Sequence, residues 1–195
     1  MAARIGRVSD ASVRTARTDD LPAVGEVQAQ VWRRAFADVV EPETLQAFEA
    51  AEFEQAWRSS LAAPPSPVHR LLVATELDTI VGFVAVGPVM QDGAHEGEAE
   101  ILAGGVHPDH RGKGHGSRLL NAAMDTLAAN DRSYVRVRIM ERDTPVVRFL
   151  ATAGFVVSGG YADRIVTSAG DTVREIEMHT DSSAPLEEQA HDHEH

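Results

Sequence analysis

Arg111-Gly112-Lys113-Gly114-His115-Gly116-Ser117 runs directly into Leu119-Leu120-Asn121-Ala122-Ala123-Met124, an apolar pattern at helical spacing. Glycines at three alternate positions let the backbone curl tightly and turn successive N–H groups inward. The helix that follows adds its unpaired first-turn donors and the positive end of its dipole. A loop of this kind binds phosphate. Upstream, Glu98 to Val106 reads as a strand interrupted by Gly104-Gly105, and His107-Pro108-Asp109 leads from it into the loop. Strand, glycine loop and helix in that order place the phosphate site at the end of a strand in a mixed α/β sheet.

A chain of 195 residues makes one domain with a sizeable core. Its hydrophobic fraction of 43% and charged fraction of 25% are those of a soluble globular protein. The absence of cysteine excludes disulfides, thiolate metal ligands and a cysteine nucleophile. Net charge is −12, and residues 181–195 hold five acids with no Lys or Arg, which leaves −7 on the body. That sign argues against a nucleic-acid partner and suits a cationic acceptor. The N-terminal stretch Met1 to Arg7 has no apolar signal-peptide core, and no apolar run approaches membrane-spanning length. A cytoplasmic protein without a membrane partner is expected, and a homodimer is left open.

The rest of the chain is read from the same two periodicities. Residues 1–10 form a loose leader, 11–180 the domain, and 181–195 a disordered acidic, His-rich tail. A first strand spans Ala11 to Ala16. Thr18-Asp19-Asp20-Leu21-Pro22 starts a helix carrying Val24, Val27, Val31, Trp32 and Phe36. A second helical region runs from about Pro42 through Leu45, Phe48, Phe53 and Trp57 to Leu61, where Pro64-Pro65-Ser66-Pro67 stops it. Arg70 to Thr75 and Ile80 to Val86 form a hairpin about Asp78. After the loop helix, Tyr134 to Met140 is a strand and Thr144 to Ala153 a helix closed by Gly154. Phe155-Val156-Val157 and Val173 to Met178 are the last strands. The total is a mixed sheet of about seven strands flanked by about four helices.

The segment from Glu100 through Gly116 resembles the acetyl-CoA-binding motif of the GNAT acetyltransferases. The family pattern Gln/Arg-x-x-Gly-x-Gly/Ala is met by Arg111, Gly114 and Gly116, after a Val-x-Pro turn at Val106-His107-Pro108. Asp143-Thr144-Pro145 through Gly154-Phe155 is similar to the family's closing helix and its Gly-Phe signature. A Walker loop fits poorly, because Lys113 is followed by Gly114 rather than Ser or Thr. A dinucleotide fingerprint fits poorly too, since the spacing is G-x-G-x-G in mid-chain. The resemblance implies a GNAT fold and acetyl-CoA as co-substrate, with no metal required. It puts backbone N–H groups from Gly112 to Ser117, those of Lys113, Gly114, His115 and Gly116 between them, around the pyrophosphate. Arg111, Lys113 and Arg118 supply positive charge. It also implies that the strand carrying Gly104, Gly105 and Val106 splays from its neighbour to admit the pantetheine arm, with Val106 N–H polarising the thioester carbonyl. The residue reading of Gly104-Gly105 alone is a strand bulge.

Transfer to an amine requires an unprotonated nitrogen, and a nearby carboxylate can take its proton. The resemblance gives that role to Glu100, with Glu98 two residues earlier on the same strand face as the second candidate. A strand-end salt bridge is the competing reading. Two positions depart from the family. Its acid tyrosine, four residues before the Gly of Gly-Phe, is Leu150 here, and its pantetheine-contacting Asn is Asp143. Tyr134 and Tyr161 are alternative acids or plain core or rim tyrosines. The implied activity is N-acetylation of a primary amine, on a small molecule or a peptide, by direct attack in a ternary complex. A protein N-terminal or lysine acetyltransferase, a larger acyl donor and a non-catalytic acyl-CoA sensor or scaffold are the alternatives. Trp32, Phe36, Phe48, Phe53 and Trp57 are helix core faces of which one or two wall the acceptor site. Asp92, Glu96 and Glu98 form a negative rim. His107, His110 and His115 are expected at the surface, and His191, His193 and His195 are read as solvated tail rather than metal ligands.

Overall fold

The computed structural model describes residues 11–91, 93–166 and 170–182. Its strands are β1 (Ala11–Thr15), β2 (Arg70–Glu76), β3 (Thr79–Pro88), β4 (Glu98–Val106), β5 (Tyr134–Met140), β6 (Val156–Ile165) and β7 (Thr172–Asp181). Its helices are α1 (Leu21–Phe36), α2 (Pro42–Gln46), α3 (Ala50–Ala62), α4 (His115–Ala128) and α5 (Thr144–Thr152). They build one seven-stranded sheet in the order β1-β2-β3-β4-β5-β7-β6. Every neighbouring pair is antiparallel except β4 and β5. That single parallel pair is what a strand–loop–helix–strand crossover through α4 produces.

The two-residue period of β2 and β3 sends apolar side chains to both faces, so these central strands read as continuous hydrophobic runs. Leu72, Ala74, Val84 and Val86 join Leu119, Leu120, Ala123 and Leu127 of α4 and Leu150 of α5 in one core. Leu71, Val73, Phe83 and Ala85 join Leu21, Val24 and Val27 of α1 in the other, with Trp57 and Leu61 of α3 packed against them. The sheet is thus sandwiched between α4/α5 and α1/α3.

Three expectations change. The helical region from Pro42 to Leu61 is two helices, because the chain turns extended at Glu49 (φ −85°, ψ 136°). The turn places the Phe48 carbonyl where Arg33 donates to it at 2.8 Å and lays the Phe48 ring against Trp32 and Phe36. Among the described residues the α-helices therefore number five. The bulge in β4 is not at Gly104-Gly105, which pair regularly with Val84 and Phe83; the register slips between Ala103 and Ile101, leaving Leu102 as the extra residue. Finally, β6 extends seven or more residues past Val157. Its residues are all exposed and carry no alternating pattern, and its pairing with β7 slips between Val157 and Tyr161 around Gly159 (φ 83°). β7 likewise reaches Asp181, into the segment read as tail.

The closest approach of α1 to α3 is at Gly25, where a β carbon would collide with the Ala50 carbonyl oxygen. Backbone cannot yield as a side-chain tip does. Gly25→Ala should therefore lower the unfolding free energy by about 2 kcal/mol in a urea titration. Gly116→Ala, whose nearest neighbour is the Phe149 ring at 3.7 Å, should leave it within roughly 0.5 kcal/mol.

Candidate active site

The parallel pairing of β4 with β5 covers only Glu98–Tyr134 to Ile101–Val137. Beyond it, β5 stays with β7 as far as Met140, whereas β4 stays with β3 as far as Val106. The two strands separate, and the expected splay is present. Alternation of the antiparallel ladder fixes which backbone groups line it. His107 N–H donates to Val81 C=O at 2.8 Å, so the 81/107 and 83/105 pairs are the hydrogen-bonded kind. Gly104 and Val106 then turn their N–H and C=O groups away from β3, into the opening. Gly105 is held to glycine by α1, since a β carbon there would lie 2.9 Å from Val31 Cγ1.

The glycine loop closes the far end of the opening. A short 3-10 turn at Pro108–His110 carries the chain out of β4, and Arg111 Nε returns to the Val106 carbonyl at 3.2 Å. Gly112 (φ 75°) and Gly114 (φ 82°) take left-handed conformations that side chains rarely adopt. Gly114 is the N-cap of α4, so the N–H groups of His115, Gly116 and Ser117 have no acceptor within the helix. Gly116 needs no unusual φ, which explains why the family pattern allows alanine there.

Two loop side chains are placed differently from expectation. Lys113 donates to Glu76 at 3.1 and 3.2 Å, so its charge is shared with the hairpin end of β2. His115 is buried (2% exposed) rather than on the surface, with Nε2 3.5 Å from the same carboxylate. His110 Nδ1 lies 2.6 Å from Glu76 as well. Glu76 thus ties His110 and Lys113 to the hairpin, while His115 Nε2 stands beside it without a hydrogen bond. The His110 hydrogen bond, then that from Lys113, holds its carboxyl down at about 2.

Glu98 and Glu100 project from one face of β4, as expected, since Ala99 and Ile101 enter the α4 core between them. Their partners differ. Glu98 accepts from His95 N–H at 3.4 Å, whereas Glu100 accepts from Arg136 Nη2 at 3.4 Å, and Arg136 Nη1 lies 3.9 Å from Glu177. Asp143 caps α5 by accepting from Val146 N–H at 3.4 Å. Leu150 is a core residue (4% exposed). Tyr134 stacks on His179 across from Glu98, and burial with the Glu177 and Glu98 charges raises its hydroxyl above the usual tyrosine value. It begins β5 three residues before the strands part, about 10 Å from the opening. Tyr161 is exposed on β6 beneath Arg174. Neither tyrosine stands at the splay.

On the α1/α3 face lies a cavity of about 560 Å³ whose wall includes Gln28, Phe53, Trp57, His69, Leu71 and Leu102. Trp57 Nε1 donates to the buried Gln28 amide at 2.6 Å. Phe53 and Trp57 are thus the two aromatics that wall the cavity, while Trp32, Phe36 and Phe48 stack with one another. Glu96 and Glu98 do not line it. Asp92, the leader and His191, His193 and His195 lie outside the described residues. Among the described residues no cluster of three or more His, Asp or Glu could hold a metal ion, and no helix is long and apolar enough to cross a membrane.

The model of the acetyltransferase (GNAT) family matches residues 30–155, from within α1 to the Gly-Phe signature. The chain belongs to the GNAT family. Among its relatives is the Bacillus subtilis (strain 168) protein YuaI, an uncharacterized N-acetyltransferase, 23% identical over 141 residues that make up 72% of this chain and 78% of that one. The solved structure of yncA from Salmonella typhimurium, which holds its cofactor acetyl-CoA, superposes with a TM-score of 0.66 at 18% identity, over 93% of this chain and 99% of that one. The ribosomal-protein-alanine N-acetyltransferase from Brucella melitensis gives 0.65 at 19% identity, over 87% and 98%. The seven-stranded sheet is therefore the GNAT fold.

Of the GNAT loop's contacts, those to Glu76 were not legible in the sequence. They are pH-sensitive in a defined direction. A carboxyl depressed in the folded state contributes stability above its unfolded value near 4.5 and loses it as pH falls toward about 2. A ¹³C titration of Glu76 should show an ionised carboxylate at pH 4, and Glu76→Gln should abolish that signal while loosening the loop amides in hydrogen exchange. A Glu76 midpoint near 4.5 would refute the His110 and Lys113 contacts.

Proposed function

We propose that this chain transfers an acetyl group from acetyl-CoA to a primary amine, carried by a small molecule or a peptide, by direct attack in a ternary complex. The observation that carries the reading is a coincidence of donors. One strand end presents the free Val106 edge to the β4/β5 opening, and the N–H-lined loop begins five residues later. A thioester with a pyrophosphate tail matches both. The loop amides from Gly112 to Ser117, with Arg111 and Arg118, take the diphosphate. The pantetheine arm enters between β4 and β5, beside Gly105, and its carbonyl oxygen accepts from Val106 N–H as charge builds on it. Asp143, at the start of α5, borders the same end of β5.

The amine comes from the cavity on the α1/α3 face, which Leu102 joins to the opening. As its nitrogen bonds to the thioester carbon, a nitrogen proton passes through water to Glu100, which lies further along β4 from Val106. The C–S bond then breaks, and the thiolate takes its proton from water, since Leu150 has none to give. Arg136 orients the Glu100 carboxylate and competes for its lone pairs, so a small movement between them sets the base free. The Glu100–Arg136 pair and Leu150 also favour a second reading, an acyl-CoA-binding sensor without turnover.

Release of free thiol from acetyl-CoA in the presence of an amine panel separates the two. Glu100→Gln should reduce kcat by roughly 10²–10⁴-fold with acetyl-CoA binding unchanged. Turnover at the wild-type rate in that variant would remove Glu100 from the mechanism.

A further inference from the structure

His69 stands in the connection between α3 and β2, and its ring lies directly on the backbone of β3. A β carbon on Gly87 would fall 2.6 Å from both Cδ2 and Nε2 of that ring. A buried strand glycine is costly unless something must approach it closely, and near the end of β3 the imidazole does. Gly87 is paired in register with Glu100. Both project to the α1/α3 side, because Val86 and Ile101 beside them enter the opposite core. Directly opposed β positions lie about 5 Å apart, so the imidazole and the base of the Glu100 side chain share one surface, from which the carboxylate reaches on to Arg136 of β5.

The ring is also oriented. Ser66 Oγ lies 2.8 Å from Nδ1 and accepts from Val68 N–H at 3.3 Å, in a turn stiffened by Pro65 and Pro67. When Nδ1–H donates to Ser66, Nε2 carries the lone pair. The same residue forms part of the cavity wall, with Phe53, Trp57 and Leu102. A histidine fixed at one nitrogen in a cavity wall, on the sheet face that also carries Glu100, has the layout of a proton acceptor.

We propose that His69 is a second catalytic residue, which removes the first proton from the incoming amine. This rests on the acetyl-transfer reading above. An alkylammonium must lose two protons to become an amide nitrogen. His69 Nε2 takes one as the ammonium arrives, which leaves the neutral amine and an imidazolium. The nitrogen lone pair forms the C–N bond, and Glu100 takes the second proton as the C–S bond breaks. The thiolate gains a proton from water, and the imidazolium and Glu100 return theirs to solvent. Two protons leave nitrogen, one ends on sulfur and one is released.

The test compares wild type, Glu100→Gln, His69→Gln and His69→Ala in the thiol-release assay. Phenethylamine is the first probe because the cavity wall is rich in apolar and aromatic side chains, and the amine turned over fastest is then carried through. His69→Gln should lose about 100-fold in kcat with the KM for acetyl-CoA unchanged. Added imidazoles should restore turnover by His69→Ala, faster as the azole becomes more basic. A purely structural histidine would not give that dependence. Gly87→Ala, which keeps the imidazole but displaces it, should lose at least 10-fold at an unfolding midpoint near wild type's. Wild-type kcat in His69→Gln, or loss in His69→Ala that no azole restores, overturns the role of His69 while leaving acetyl transfer standing. A wild-type enzyme that releases no thiol with any amine overturns both.

Discussion

β4 cannot follow two neighbours at once. It is bonded to β3 along its whole length and to β5 only as far as Ile101, and beyond that point the sheet opens. Everything at the site depends on that separation. It frees the outward edge of Gly104 and Val106, gives the loop a gap to close, and leaves room for an extended chain where a strand neighbour would otherwise be. The bulge at Leu102 lies where the parting begins, and a bulge sharpens twist and re-aims the strand beyond it. Val31 on α1 presses against Gly105 from one side, and Arg111 returns to the Val106 carbonyl at the loop end. Packing and one polar tie thus hold the opening.

Electrostatics around the opening is arranged in two separate clusters. At the phosphate end, Glu76 gathers His110, Lys113 and His115, so a single hairpin carboxylate holds the loop against the sheet. Lys113 is partly neutralised there, and Arg111 and Arg118 remain to meet an anion. At the acceptor end, Glu100, Arg136, Glu177 and Arg138 alternate in sign along the floor of the sheet. The alternation keeps each charge partnered.

Much of this was legible in the sequence because it is local. The glycine spacing, the Val-x-Pro turn into the loop and the alternation of Glu98 and Glu100 each depend on residues a few positions apart. The 30–155 span matched by the GNAT model is where such local signals are densest. What was missed is non-local. Glu76 lies 34 residues before His110, and Arg136 lies 36 residues after Glu100. His69 meets Gly87 only because the strand between them turns back. The burial of His115 follows from those same long-range contacts. The length of β6 was hidden for another reason: a strand exposed on both faces carries no hydrophobic period to read.

The central claim is that the β4/β5 opening and the glycine loop together receive the acyl donor. Titrating the ¹⁵N-labelled protein with acetyl-CoA and following amide shifts tests it most directly. The account predicts that the largest changes fall on two groups, Gly112 to Ser117 and Leu102 to Val106, with Val106 N–H moving downfield as it gains an acceptor. Saturable shifts confined to other parts of the sheet, with Val106 and the loop amides unmoved, would contradict it.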